Sequence, residues 1–152
     1  SSRRRHTRLL TVTGVQTCAL PISLLIAKEG IRFTTHELRL VNVRDGYAGT
    51  TDAVYADSPE TYGILDFKSR KTKPGQKCEP WETEPMQIAA YCVAKFGMIH
   101  PKTTGANVYI STTEKGRVEI VKYTSAQLEE AWAAFQAALH LWQYLKGYKP
   151  PS

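Results

Sequence analysis

Between Glu37 and Lys68 the chain carries three strand-like patterns separated by two clusters of turn residues, and this spacing limits its fold more than any global property. Residues 37–43 (ELRLVNV) alternate between polar and apolar, which puts Leu38, Leu40 and Asn42 on one face. Arg44-Asp45-Gly46 supplies turn chemistry, and residues 47–56 form a second extended run. Asp57-Ser58-Pro59-Glu60 turns the chain again, into a third run at 62–68 with Ile64, Leu65 and Phe67 as its apolar residues. Connections this short join antiparallel neighbours, so the spacing predicts a meander.

Residues 69–80 hold Lys, Pro, Gly and Gln without hydrophobic period, which predicts an exposed loop. A helix follows, with Thr83 as N-cap, Glu84 and Pro85 in the first turn, an apolar stripe of Met86, Ala90, Val93 and Ala94, and an end near Gly97. Residues 108–111 and 118–123 read as two more strands around a Glu114-Lys115-Gly116 turn. Thr124 and Gln127 make a capping box for a last helix, whose Leu128, Ala131, Phe135, Ala138, Leu139, Trp142 and Leu145 recur at helical spacing and are read as core. The fold class expected is α/β, a small mixed sheet flanked by α-helices in a single domain over residues 23–152.

Residues 1–22 are set apart. The strings SRRRHTR (2–8) and VTGVQTCALPI (12–22) resemble translated segments of a common short-read sequencing adapter, in the adapter's own order. The expectation is therefore a non-native, disordered or irregular segment joined to an N-terminally truncated domain. Without it, Lys+Arg falls from 20 to 16 against 14 Asp+Glu, and the formal charge from +6 to +2, so overall basicity says little about partners. Cys78 and Cys92 remain, too few for a disulfide framework or a cysteine-rich metal site, which points to a reducing, cytoplasmic location. No remaining run approaches the roughly 20 apolar residues of a membrane span.

The chemistry-bearing residues are Asp52 in the second run and Asp66 and Lys68 at the end of the third. Residues two apart in a strand share a face, so Asp66 and Lys68 project together, and a neighbouring antiparallel strand brings Asp52 alongside. Two converging carboxylates repel unless a cation lies between them, and a hard divalent ion is the natural occupant. An isolated D-x-K pair reads more readily as a surface ion pair.

The pair is not isolated. The run YAGTTDAV, then ILDFKSRK, then QIAAY resembles the RecB-like branch of the PD-(D/E)XK nuclease superfamily, with its G-x-x-D, D-x-K and Q-x-x-x-Y in order, over about residues 37–91. The resemblance implies a restriction-endonuclease-like core and a Mg²⁺-dependent deoxyribonuclease, with Mn²⁺ as substitute. It makes Asp52 and Asp66 metal ligands, the Phe67 carbonyl an additional ligand, and Lys68 the catalytic lysine. Gln87 and Tyr91 would border the active site and face DNA from the helix, with Gln87 alternatively holding the lysine or a metal-bound water, although Tyr91 also reads as an ordinary half-buried tyrosine. Glu37 matches an accessory glutamate of many relatives, and a surface strand glutamate equally. No cysteine group follows Cys92, so no iron-sulfur cluster is expected.

Lys68, Arg70, Lys71, Lys73 and Lys77 form a basic cluster beginning at that lysine, and Arg70, Lys71 and Lys73 are assigned to DNA phosphates. Trp81 is read as a packing residue, with stacking on an unpaired base as the alternative. His36, His100 and His140 show no metal-ligand spacing. The family suggests an exonuclease of recombination, repair or phage DNA metabolism. The rivals are a nucleic-acid-binding module of the same fold without turnover and a site-specific endonuclease.

Overall fold

The computed structural model describes residues 16–151. Its elements are α1 (Gln16–Lys28), β1 (Arg32–Asn42), β2 (Tyr47–Ala56), β3 (Tyr62–Arg70), α2 (Thr83–Phe96), β4 (Thr103–Ser111), β5 (Val118–Tyr123) and α3 (Ser125–Lys146). The strands lie in sequence order in one five-stranded sheet. The first three form the antiparallel meander that their turns predict, β4 joins β3 in parallel, and β5 returns antiparallel. The parallel pair requires a crossover, which α2 provides. The fold is thus α/β, a mixed sheet flanked by helices.

Both faces of the sheet are covered. On one, Val54 and Ile64 pack with Ile88, Ala89, Cys92 and Val93 of α2 and Leu128 of α3. On the other, Ala53, Tyr55, Leu65, Ala106 and Val108 meet Leu25 and Ile26 of α1. A strand buried on both sides does not alternate. That is why β4 begins at Thr103, five positions ahead of the expected strand at 108: its small residues Thr103 to Ala106 carry no period. Gly105 belongs to this close packing, because a Cβ there would overlap the Ile88 side chain.

Three expectations need correction. The segment 1–22 is not irregular throughout, since α1 starts at Gln16, while 1–15 lie outside the described residues. Leu25 and Ile26 anchor the helix against the sheet, and once a turn is fixed each added residue costs little. Thr83 is not the N-cap of α2. Glu82 holds that position without a side-chain cap, and Glu84 instead reaches back to accept the Trp81 N–H at 2.9 Å.

The third correction concerns α3. Its capping box at Thr124 and Gln127 is formed as predicted. Its stripe is core only at the start: Leu128 is buried, Ala131 and Trp132 are half-buried, and Phe135 stacks against Trp132 and meets the edge of Tyr47. Farther on, Ala138, Trp142 and Leu145 are exposed, with Leu141 60% and Tyr144 83% accessible. The apolar period continues past the packed first turns, where α3 keeps only lighter contacts such as Trp142 against Tyr148 and Gln143 on the Asp45 carbonyl.

Leu128→Ala should lower the unfolding free energy by about 2–5 kcal/mol, and Leu141→Ala should change it by less than about 0.5 kcal/mol. Urea melts followed by circular dichroism measure both. Comparable losses would mean that the outer half of α3 is packed as tightly as its start.

Candidate active site

Strand periodicity puts Asp66, Lys68 and Arg70 on the face of β3 that α2 crosses. The helix answers with Glu84, Gln87 and Tyr91, one turn apart along its sheet-facing side. Lys68 pairs with the Asp66 carboxylate and donates to Gln87 Oε1 at 2.7 Å. Gln87 in turn donates through Nε2 to the Tyr91 hydroxyl at 3.0 Å. The Tyr91 ring lies over Gly49, where a Cβ would stand 2.6 Å from its Cε1. The first glycine and the last tyrosine of the sequence pattern therefore touch, which explains why the first must be small.

Asp52 arrives from β2. The paired register of β2 and β3 covers Ala53–Tyr55 against Gly63–Leu65. Past it the strands part, and the Phe67 N–H is met by Asp52 Oδ2 at 2.7 Å. In a strand, the N–H and C=O of one residue leave on the same edge, so the Phe67 carbonyl is directed to the side where Asp52 stands. Glu37 lies in β1 opposite Asp52 in the register, but no pairing forms there, and Glu37 has a left-handed φ of 47° and an exposed side chain.

Asp66 is only 4% exposed. Burial, and then the charge of Asp52, push its carboxyl up to about 6, with Lys68 pulling the other way. Apart from the Lys68 ammonium, its Oδ2 has no partner among the described residues. Burial also raises the Tyr91 phenol, helped by the charges of Asp66 and Asp52, so Tyr91 keeps its proton. No third His, Cys, Asp or Glu side chain joins the two aspartates to make a larger ligand group among the described residues. A cation there would have two carboxylates, a main-chain oxygen and water as donors, which suits Mg²⁺ better than an ion that demands an all-protein cage.

Arg70, expected on DNA phosphate, is engaged elsewhere. Its guanidinium pairs with Glu84 Oε1 at 2.6 Å, donates to the Glu79 carbonyl at 2.8 Å, and lies over the Trp81 and Tyr109 rings. At 14% side-chain exposure it is a structural cation. Lys71, Lys73 and Lys77 are exposed. Their loop is fastened from beneath: Arg117 binds the Lys73 and Gln76 carbonyls, and Glu119 accepts the Cys78 N–H. Trp81, read as a packing residue, is 63% exposed.

Two polar residues beside the site escaped sequence reasoning. Glu84, buried, holds Arg70, the Tyr109 hydroxyl and the Trp81 N–H together. Asn107, in register with Asp66 on β4, is fully buried, accepts from Tyr123 through Oδ1, and has an amide nitrogen with no partner among the described residues. An asparagine within the apolar run Ala106-Asn107-Val108 was the available signal.

No family model matches this chain, and no curated protein matches it either. Among solved structures it is similar to one described as the crystal structure of SSO0001, with 17% identity and a TM-score of 0.40 over 88% of this chain. The chain spans 63% of that protein's length, and so distant a likeness bears on neither activity nor partner. No helix among the described residues is long and apolar enough to cross a membrane.

The folded protein holds the Asp66 proton up to about pH 6, whereas an unfolded carboxyl releases it near 3.8. In that window the folded state binds more protons, so stability falls as pH rises through it. Without added metal, Asp66→Asn should gain on the order of 1–3 kcal/mol over wild type at neutral pH and almost nothing near pH 4. Denaturant melts at the two pH values decide. A loss at both would make Asp66 a net structural support.

Proposed function

We propose that this protein is a metal-dependent deoxyribonuclease of the PD-(D/E)XK type that hydrolyses phosphodiester bonds, with exonuclease action as the favoured mode. The observation that carries this reading is a buried aspartate, Asp66, facing a second carboxylate while an ammonium fixed by a helix glutamine pairs with it. Such a set is costly to hold, because the single Lys68 ammonium paired with Asp66 leaves two carboxylates to one cation, and a divalent ion between them would offset the remaining repulsion.

Asp52, Asp66 and the Phe67 carbonyl would hold Mg²⁺, or Mn²⁺ in its place. When bound, the ion supplies Lewis acidity toward a phosphoryl oxygen and lowers the pKa of a water. Lys68 stabilises the negative charge that builds on the phosphoryl oxygens, and does so without reorganising, because Gln87 already holds its Nζ. Gln87 is a positioning residue, steered by the Tyr91 hydroxyl. Lys71 and Lys73, exposed on the adjoining loop, provide salt-sensitive contacts to phosphate with little sequence preference.

In Mg²⁺, linear DNA should be degraded, EDTA should stop the reaction, and Asp66→Ala and Lys68→Ala should each slow it at least about a hundredfold. Cutting of closed circles would point to an endonuclease. Retention on DNA without cutting would favour a binding module. Millimolar Mg²⁺ should also raise the melting temperature of wild type and leave Asp66→Asn unmoved. Equal shifts in the two would remove the ion from this site.

A further inference from the structure

We infer that the outer face of Trp81 is a stacking platform for an unpaired base, making single-stranded DNA, or a frayed DNA end, the form of substrate that the site engages. This deepens the nuclease reading and rests on it for the identity of the polymer. A tryptophan that packs is buried, yet Trp81 is 63% exposed. Nor is it loose. Its backbone N–H is held by Glu84 Oε2 at 2.9 Å, and its carbonyl accepts the Glu84 N–H at 2.9 Å. Behind the ring stands the Arg70 guanidinium, 4.2 Å from the centroid and itself clamped by Glu84 and the Glu79 carbonyl. One face of the indole is thereby committed to a fixed cation and the other is left to solvent. An aromatic side chain ordered at that cost, with an open face, is suited to a flat partner.

Position gives the partner its chemistry. Arg70 follows Lys68 by two residues on the same strand face, and Glu84 precedes Gln87 by one helical turn. Arg70 therefore stands about 7 Å along β3 beyond the lysine in the row that starts with Asp66, and the indole lies against it. The loop leading into Trp81 exposes Lys71, Lys73 and Lys77, and its backbone is tied to Arg117 and Glu119. Cations fixed on a backbone track, with an aromatic face open beside them, bind single strands by stacking and charge together. Bases stacked inside a duplex present no free face to such a ring, so a duplex offers it at most its end pairs.

Binding of a fluorescein-labelled short oligothymidylate, measured by anisotropy in EDTA so that nothing is cut, tests this directly. Trp81→Ala should weaken it about five- to a hundredfold, Trp81→Phe should keep most of it, and a blunt duplex of equal length should bind all three proteins alike. Thermal melts show whether each variant is folded. If folded Trp81→Ala binds the oligothymidylate as wild type does, or loses duplex binding equally, the platform is refuted. Tryptophan-dependent binding without any Mg²⁺-dependent cutting would refute the nuclease and leave the platform standing. Cutting that is normal in Trp81→Ala with unchanged binding would do the reverse.

Discussion

Two carboxylates in contact within a sheet repel each other, and much of this fold is arranged to hold them there. Asp66 is buried on the central strand, where losing its water already favours the protonated acid. Asp52 adds like charge. The compensation comes from three directions: the Lys68 ammonium two residues on, the Gln87 side chain that fixes that ammonium, and the Phe67 N–H that takes one oxygen of Asp52. The last exists only because β2 and β3 separate at this point. A continued ladder would have given that N–H to a main-chain carbonyl and left Asp52 without its hold.

The sequence made the local half of this arrangement legible. Period-two patterns with turn clusters at 44–46 and 57–60 defined β2 at both ends and the antiparallel order of the meander, because hairpin geometry depends on nearby residues alone. Asp66 and Lys68 could be put on one face by counting, and Gln87 with Tyr91 on one helical face in the same way. The parallel junction of β3 with β4 was less open to reading. Strands covered on both sides lose their alternation, so Thr103 to Ala106 looked like connection until packing made them strand.

What stayed hidden was partnership. Arg70 and Lys71 are neighbours in a basic run, and nothing in that run says that one guanidinium is enclosed by Glu84, Trp81 and Tyr109 while the next ammonium is in water. Charge counts a side chain but not its exposure. The same blindness applied to α3, whose apolar period runs unchanged from Leu128 to Leu145 although only its first turns meet the sheet and α2. Trp81 was misjudged because tryptophan usually packs, whereas here the Arg70 guanidinium covers part of the ring and most of it stays exposed.

The Arg70–Glu84 pair, although outside the reacting groups, bears directly on them. A buried ion pair gains little net stability, since desolvating two charges costs about what their attraction returns. Its value here is geometric. Glu84 sits in the first turn of α2, in the absence of a capping side chain from Glu82, and it satisfies the Trp81 N–H while gripping Arg70 of β3. One turn later on the same helix, Gln87 grips Lys68 of the same strand. Two rungs between one helix and one strand leave little freedom to slide or rotate, so the outer rung fixes where the inner glutamine falls. A glutamate placed to suit the start of a helix thus also sets the position of the ammonium beside the aspartates.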